Sequence, residues 1–175
     1  MEKLKKSLAI EFEVKDLGQM QYFLGMEVAR SHKGISILQR KYVLDLLIET
    51  GILGCKPSDT PIDAEKRIKN AGNSVDIDRY QRLVGKLIYL SYTRPDIVFA
   101  VSVVSQHIHA PKVVHLEEVY KILRYLKGSI RRGLYFKKGD RKEIEIFMDT
   151  DWADSMEDRK STTGYCTFEW GNLVT

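Results

Sequence analysis

Two groups of residues in this 175-residue chain have types and spacing suited to chemistry. The first is Gln81, Gly85 and Tyr89, at i, i+4 and i+8 in the run Gln81-Arg82-Leu83-Val84-Gly85-Lys86-Leu87-Ile88-Tyr89. In a helix this spacing puts an amide, a bare backbone and an aromatic ring on one face. Leu83, Val84, Leu87, Ile88 and Leu90 read as the core-facing side. A mid-helix glycine costs about 1 kcal/mol against alanine, so it calls for a close approach by something. The minor groove of a duplex, with its acceptors and sugar edges, fits an amide, a gap and a flat ring. A second helix packed at Gly85 is the competing explanation. The other group is a basic run: Lys121 to Lys142 holds nine Lys/Arg and one acid, Asp140, a local charge of +8 in a chain of net +4. Tyr125, Tyr135 and Phe136 lie among those bases. Such a stretch suits a polyanion track or a solvated basic surface.

The elements that must hold these residues follow from periodicity and turn chemistry. Hydrophobic content of 43% and charged content of 30% fit a globular protein. There is no apolar run of membrane-spanning length and no secretory leader pattern, so no membrane partner is expected. Cys55 and Cys166 match no metal spacing and read as free thiols. Met1 to about Glu13 reads as a helix. Gln21–Ala29 and Ile35–Leu38 read as a hairpin, with Gly34 supplying the turn at His32-Lys33-Gly34. Lys41–Thr50 reads as a helix closed by Gly51. Pro57, Pro61, Gly72 and weak periodicity mark 57–76 as a linker. Helices are then expected over Asp78–Tyr92, Asp96–His109 and Val114–Lys127, broken by Pro95 and Pro111. After Gly133 the pattern turns to strands: Leu134–Lys137, Glu143–Asp149 and Thr162–Trp170. A further strand, begun after a Gly171-Asn172 turn, is expected to lack a partner.

Several stretches in order resemble the Pol polyprotein of copia-type LTR retrotransposons, from the end of the reverse transcriptase into RNase H. They are Asp16-Leu17-Gly18 with Tyr22 to Val28; Gln39 to Tyr42; Cys55-Lys56-Pro57 with Thr60-Pro61; Tyr80 to Leu90; Thr93 to Ile97; Ile122 to Gly128; Asp149 to Ala153; and Arg159 to Tyr165. The resemblance implies an α+β chain in four parts. Residues 1–56 would be the end of the palm with a primer-grip-like hairpin, 57–76 the linker, 77–132 a helical thumb or connection, and 133–175 a truncated start of an RNase H-like domain.

The resemblance also implies roles. Phe23, Leu24, Gly25 and Met26 would line the primer-grip hairpin. Gln81, Gly85 and Tyr89 would follow the minor groove of the template–primer duplex, with Arg82 and Lys86 on phosphates. Asp149 would be the first RNase H metal ligand and the only catalytic carboxylate carried over, with Asp151 and Asp154 nearby in a turn rich in acids. The family enzyme, an RNA-directed DNA polymerase with RNase H, uses Mg²⁺. A lone carboxylate cannot hold two metal ions, and no Tyr-x-Asp-Asp turn precedes Leu17. The chain alone is therefore expected to be inactive and to bind no metal tightly. Met148 before Asp149, Asp154 after Trp152-Ala153, and His107 depart from the family pattern. The expected partner is template–primer or RNA/DNA hybrid duplex, bound weakly and without sequence choice, with self-association through open strand edges. The alternatives are a non-functional relic of a decayed element, or a domesticated nucleic-acid-binding or interaction module. A cytoplasmic location, or a nuclear one, follows from the family alone.

Overall fold

A computed structural model of the chain describes residues 2–13, 18–63, 72–139, 143–150 and 163–174. Within them the protein is α+β, with five α-helices, the first (α1) over Glu2–Glu11, and two antiparallel sheets. Among the described residues no helix is long and apolar enough to cross a membrane.

The first sheet has the order β1-β2-β3-β4, with β1 Tyr22–Phe23, β2 Met26–Ser31, β3 Gly34–Leu38 and β4 Leu134–Lys137. Two features depart from the sequence reading. The expected strand Gln21–Ala29 is interrupted by a two-residue turn at Leu24-Gly25, both residues with positive φ (49° and 81°). That geometry matches the right-handed twist of the flanking strands, and it makes a short hairpin of β1 and β2. The turn between β2 and β3 is His32-Lys33, and Gly34 lies inside the ladder opposite both Ser31 and Lys137. Glycine is needed there because of crowding: a Cβ would sit 2.3 Å from the Phe136 carbonyl oxygen of β4. The strand Leu134–Lys137, read as part of the C-terminal unit, therefore completes the hairpin sheet.

Four helices share one core: α2 (Arg40–Glu49), α3 (Ile77–Ser91), α4 (Val98–Ser105) and α5 (Val113–Gly128). Leu46 and Leu47 of α2, Leu83, Val84 and Leu87 of α3, Val104 of α4 and Ile122 and Leu123 of α5 belong to the same buried cluster. Each such side chain contributes roughly 1.5–3 kcal/mol by leaving water. The helix α2, read from sequence as part of the first unit, thus packs with the bundle. The fourth helix is shorter than expected, preceded by a 3₁₀ turn at Pro95–Ile97 and followed by turns over 106–109. Pro95 starts the turn, where its missing N–H costs nothing.

Both described flanks of the expected linker are tied to α5. Ser58 N–H donates to the Arg124 carbonyl at 3.3 Å, Asp63 pairs with Lys121, and Ser74 bridges Lys112. Residues 64–71 lie outside the described residues.

A buried cation joins the bundle to the strand that follows it. Arg94, 1% exposed, donates from Nε and Nη2 to the two Asp96 carboxylate oxygens at 2.9 and 2.7 Å. Its Nη1 and Nη2 also donate to the Ser129 carbonyl and Oγ at 3.0 and 2.7 Å. Tyr125 OH donates to Asp96 at 2.8 Å, and Arg132 donates to Tyr125 OH at 2.9 Å. Partial burial pushes the Asp96 carboxyl up, but the hydrogen bonds from Arg94 and Tyr125 and the Arg94 charge prevail and hold it below its usual 3.8.

The second sheet has the order β5-β6-β7, with β5 Ile144–Thr150, β6 Thr163–Glu169 and β7 Asn172–Leu173. The last strand was expected to lack a partner; instead a tight turn at Trp170-Gly171 folds it back on β6, pairing Glu169 with Asn172. The side chain of Asn172 joins the two sheets. Its Oδ1 accepts from Lys137 N–H at 2.6 Å, and its Nδ2 donates to the Lys137 carbonyl at 3.1 Å. The amide thus does on the β4 edge what another strand's backbone would do.

Replacing Arg94 with Ala leaves Asp96 and Ser129 without their buried donor and should lower stability by ~3–5 kcal/mol, read by urea unfolding. Asp96→Asn adds a pH signature. A depressed folded pKa stabilises above the unfolded value near 3.8 and loses that effect as pH falls through the folded value. The stability gap between wild type and Asp96→Asn should therefore be full at neutral pH and shrink below pH 3.8.

Candidate nucleic-acid interface

The third helix begins at the N-cap Asp76, whose side chain accepts from Arg79 N–H at 3.1 Å. Its buried side is Tyr80, Leu83, Val84, Leu87 and Leu90. Tyr80 OH donates to the Val104 carbonyl at 2.7 Å, and burial pushes its phenol up to about 12. That bond sets the rotation of α3 against α4. Ile88, read from sequence as core, falls on the exposed side, while Tyr80 fills the interior. Ile88 follows Gln81 and Gly85 at helical spacing, so it continues the same outer stripe.

The outer face holds the residues singled out from sequence, in unequal states. Gly85 is exposed, and beyond its own helix a Cβ there would meet no described atom within 4 Å. A second helix packed at Gly85 is therefore not what the glycine serves among the described residues. Arg82 is exposed and makes no ion pair or hydrogen bond with a described residue. Gln81 is exposed but tethered, its Nε2 donating to the Ile108 carbonyl at 3.2 Å. Lys86 is paired with Glu49 of α2, so its charge is offset locally.

Tyr89 is half-buried and acts as a joint. Its OH donates to the Leu24 carbonyl at the β1–β2 tip, and its ring meets Tyr42 of α2 edge-on at 5.4 Å. The Tyr42 phenol is raised by burial first, then by Tyr89 and Glu49. The Tyr42 ring also lies under Gly25, where a Cβ would be 3.4 Å from it. Thus Phe23, Leu24, Gly25 and Met26 are brought beside α3 by Tyr42 and Tyr89. Phe23 and Leu24 point out at 54% and 65% exposure, while Gly25 and Met26 are half-covered. The sequence alone placed the hairpin and the helix in separate units and gave no sign that Tyr89 couples them.

Asp149 is exposed on β5, opposite Gly164 of β6. Among the described residues no three His, Cys, Asp or Glu side chains gather as a metal site. Asp151 and Asp154 lie outside the described residues. The described donors thus do not make a divalent-metal site. His115, in the first turn of α5, is buried; its Nδ1 accepts from Lys112 N–H at 3.1 Å, and its ring stacks on His107 at 3.7 Å. This pair orders the start of α5.

Comparison with known proteins defines the class. The reverse transcriptase (RNA-dependent DNA polymerase) family matches residues 1–64. An uncharacterised mitochondrial protein of Arabidopsis thaliana is 38% identical over 95% of this chain and 70% of its own length. The retrovirus-related Pol polyprotein from transposon RE1 of the same plant is 38% identical over 93% of the chain, and that from transposon TNT 1-94 of Nicotiana tabacum is 35% identical over 98%. The chain spans only 11% and 14% of those two polyproteins. No solved structure matches it. The chain belongs to the copia-type retrotransposon Pol family and carries part of its reverse-transcriptase-like region.

Two substitutions check this surface. Gly85→Ala should raise stability by about 0.5–1 kcal/mol, since it adds helix propensity into open space. A loss by thermal melting would show that something covers Gly85. Tyr89→Phe should cost ~0.5–1.5 kcal/mol and speed amide hydrogen exchange at the β1–β2 tip, where the hydroxyl holds the Leu24 carbonyl.

Proposed function

We propose that the outer face of α3, together with the β1–β2 tip, is a sequence-independent surface for template–primer or RNA/DNA hybrid duplex. On this reading the hairpin sheet is the end of the palm, the bundle is thumb-like, and β5 to β7 begin an RNase H-like fold. The observation that carries it is the open backbone at Gly85, between outward Gln81, Arg82 and Ile88, with the hairpin tip fastened alongside by Tyr89. A glycine gap lets a sugar edge approach the helix, and the tip offers apolar groups and backbone that do not select a base. Arg82 supplies the long-range attraction. Lys86 supplies less, because Glu49 neutralises it. Polymerase and RNase H chemistry enter only as the setting in which such a duplex arises.

The test is duplex binding across a salt series. Affinity should lie in the ~10⁻⁴–10⁻⁶ M range of non-specific binding. Arg82→Ala should weaken it and flatten the salt slope, because fewer counterions are released. Lys86→Ala should do so less. Gly85→Leu should weaken binding with the slope nearly unchanged, by holding the helix off the groove. Binding that ignores both Arg82→Ala and Gly85→Leu would remove this face from the interface.

A second reading concerns self-association. Among the described strands β5 pairs only with β6, and Ile144, Ile146 and Met148 along it are exposed. An unpaired apolar edge is a template for another chain. Ile146→Lys should then shift sedimentation at high concentration toward monomer; a monomeric wild type would refute this reading.

A further inference from the structure

At the far end of the β2–β3 ladder from the α3 contact, the two sheets enclose a groove of about 690 Å³. Ile35, Phe136, Trp170 and Val174 give it apolar walls. Among the described residues that line it, Arg30, Lys137 and Lys138 give three cations against one acid, Glu169, a local balance of +2. Its size falls in the roughly 300–1,000 Å³ range of sites that enclose small organic groups, too small for a duplex.

The Trp170 backbone is held there in an unfavourable conformation. The β6–β7 turn, Trp170-Gly171, has φ of 55° and 71°. Such turns favour Asn-Gly, because a bulky side chain is disfavoured in the left-handed region. The surroundings enforce the geometry. Asn172 Nδ2 donates to the Trp170 carbonyl at 3.2 Å while its amide grips Lys137 of β4. Trp170 N–H donates to the Glu143 carbonyl at 2.9 Å. Trp170 remains 54% exposed, so burial does not account for its choice. A strained aromatic, exposed in a groove and bordered by cations, has the form of a stacking platform.

We infer that this groove binds a single-stranded polynucleotide, one base stacking on Trp170 beside Phe136 while Arg30, Lys137 and Lys138 take the adjoining phosphates. Bases inside a duplex are stacked on one another, whereas an unpaired strand offers its base faces to the indole, and the positive balance favours a polyanion over a neutral apolar segment. The Arg30 guanidinium donates to the Met20 carbonyl and meets no described carboxylate, so its charge is not cancelled there. This site is separate from the α3 face and does not depend on the duplex reading.

The experiment uses the full chain in a Trp152→Phe background, which leaves Trp170 the single indole of the two tryptophans in the sequence. Titration with short oligodeoxyadenylate should quench tryptophan fluorescence to saturation. Trp170→Asn should bind the same oligonucleotide, followed by anisotropy of a fluorescein label, roughly five- to 150-fold more weakly. The same variant should melt at a higher temperature than wild type, since Asn suits the turn, so lost binding cannot be ascribed to unfolding. Lys137→Ala with Lys138→Ala should weaken binding and flatten its salt dependence. Hybrid-duplex affinity should be unchanged by Trp170→Asn, and oligodeoxyadenylate affinity should be unchanged by Arg82→Ala; failure of either site is then visible without the other. The proposal is overturned if saturating oligonucleotide does not quench Trp170. It is equally overturned if Trp170→Asn binds as tightly as wild type, or if polyglutamate quenches the indole as the oligonucleotide does, which would mean charge capture without stacking.

Discussion

The Arg94 guanidinium is the point on which the rest of the structure hangs. A charge removed from water is tolerable only when nearly every donor is used, and four hydrogen bonds to Asp96 and Ser129 meet that demand. Those acceptors come from the turn that opens toward α4 and from the residue that caps α5. One side chain therefore fixes where the bundle ends and how the chain leaves it for β4. Thr93, next in sequence, does the same on the other side, its hydroxyl donating to Gln39 Oε1 at 2.6 Å just before α2. Two adjacent polar residues thus reach both the entry and the exit of the bundle.

What could be read from the sequence was what rests on local periodicity. The amphipathic pattern of α3, the Pro and Gly stops, and the alternation of β5 depend on residues within a few positions of one another, and the elements appear close to where they were expected. The misreadings have a common physical source. Gly34 looks like a turn residue because glycine usually is one, yet here it admits a carbonyl from a strand far along the chain. Leu24-Gly25 is hidden in an apolar run, and a non-glycine residue with positive φ leaves no compositional mark. The stretch after Cys55 is irregular in sequence, and its anchors on α5 are irregular too: a backbone bond, an ion pair, an isolated bridge.

The candidate interface was legible to the same degree. Gly85 could be found because a mid-helix glycine costs stability without visible return, and the structure shows the open space it leaves. That Lys86 is partnered by Glu49, and that Tyr89 reaches for a backbone carbonyl 65 positions away, are tertiary facts. A charged or aromatic side chain looks the same in sequence whether it faces solvent or a neighbour. Arg94 is the sharpest case, since composition would place it on the surface.

The pairing of Ile37 with Leu134 sets the ends of the bundle side by side across roughly a hundred residues. Closing a flexible loop of that length costs about 4 kcal/mol in chain entropy before any constant term, far more than one pair of strand residues returns. The β3–β4 ladder is therefore downstream of the helices in the order of assembly. Once the bundle has collapsed, its two ends already lie close together, and the fourth strand is delivered to its place. The hairpin sheet inherits its width from a core it does not share, so a lesion deep among α2 to α5 would first be felt as fraying at β4, and with it the loss of the seam where Asn172 fastens the second sheet.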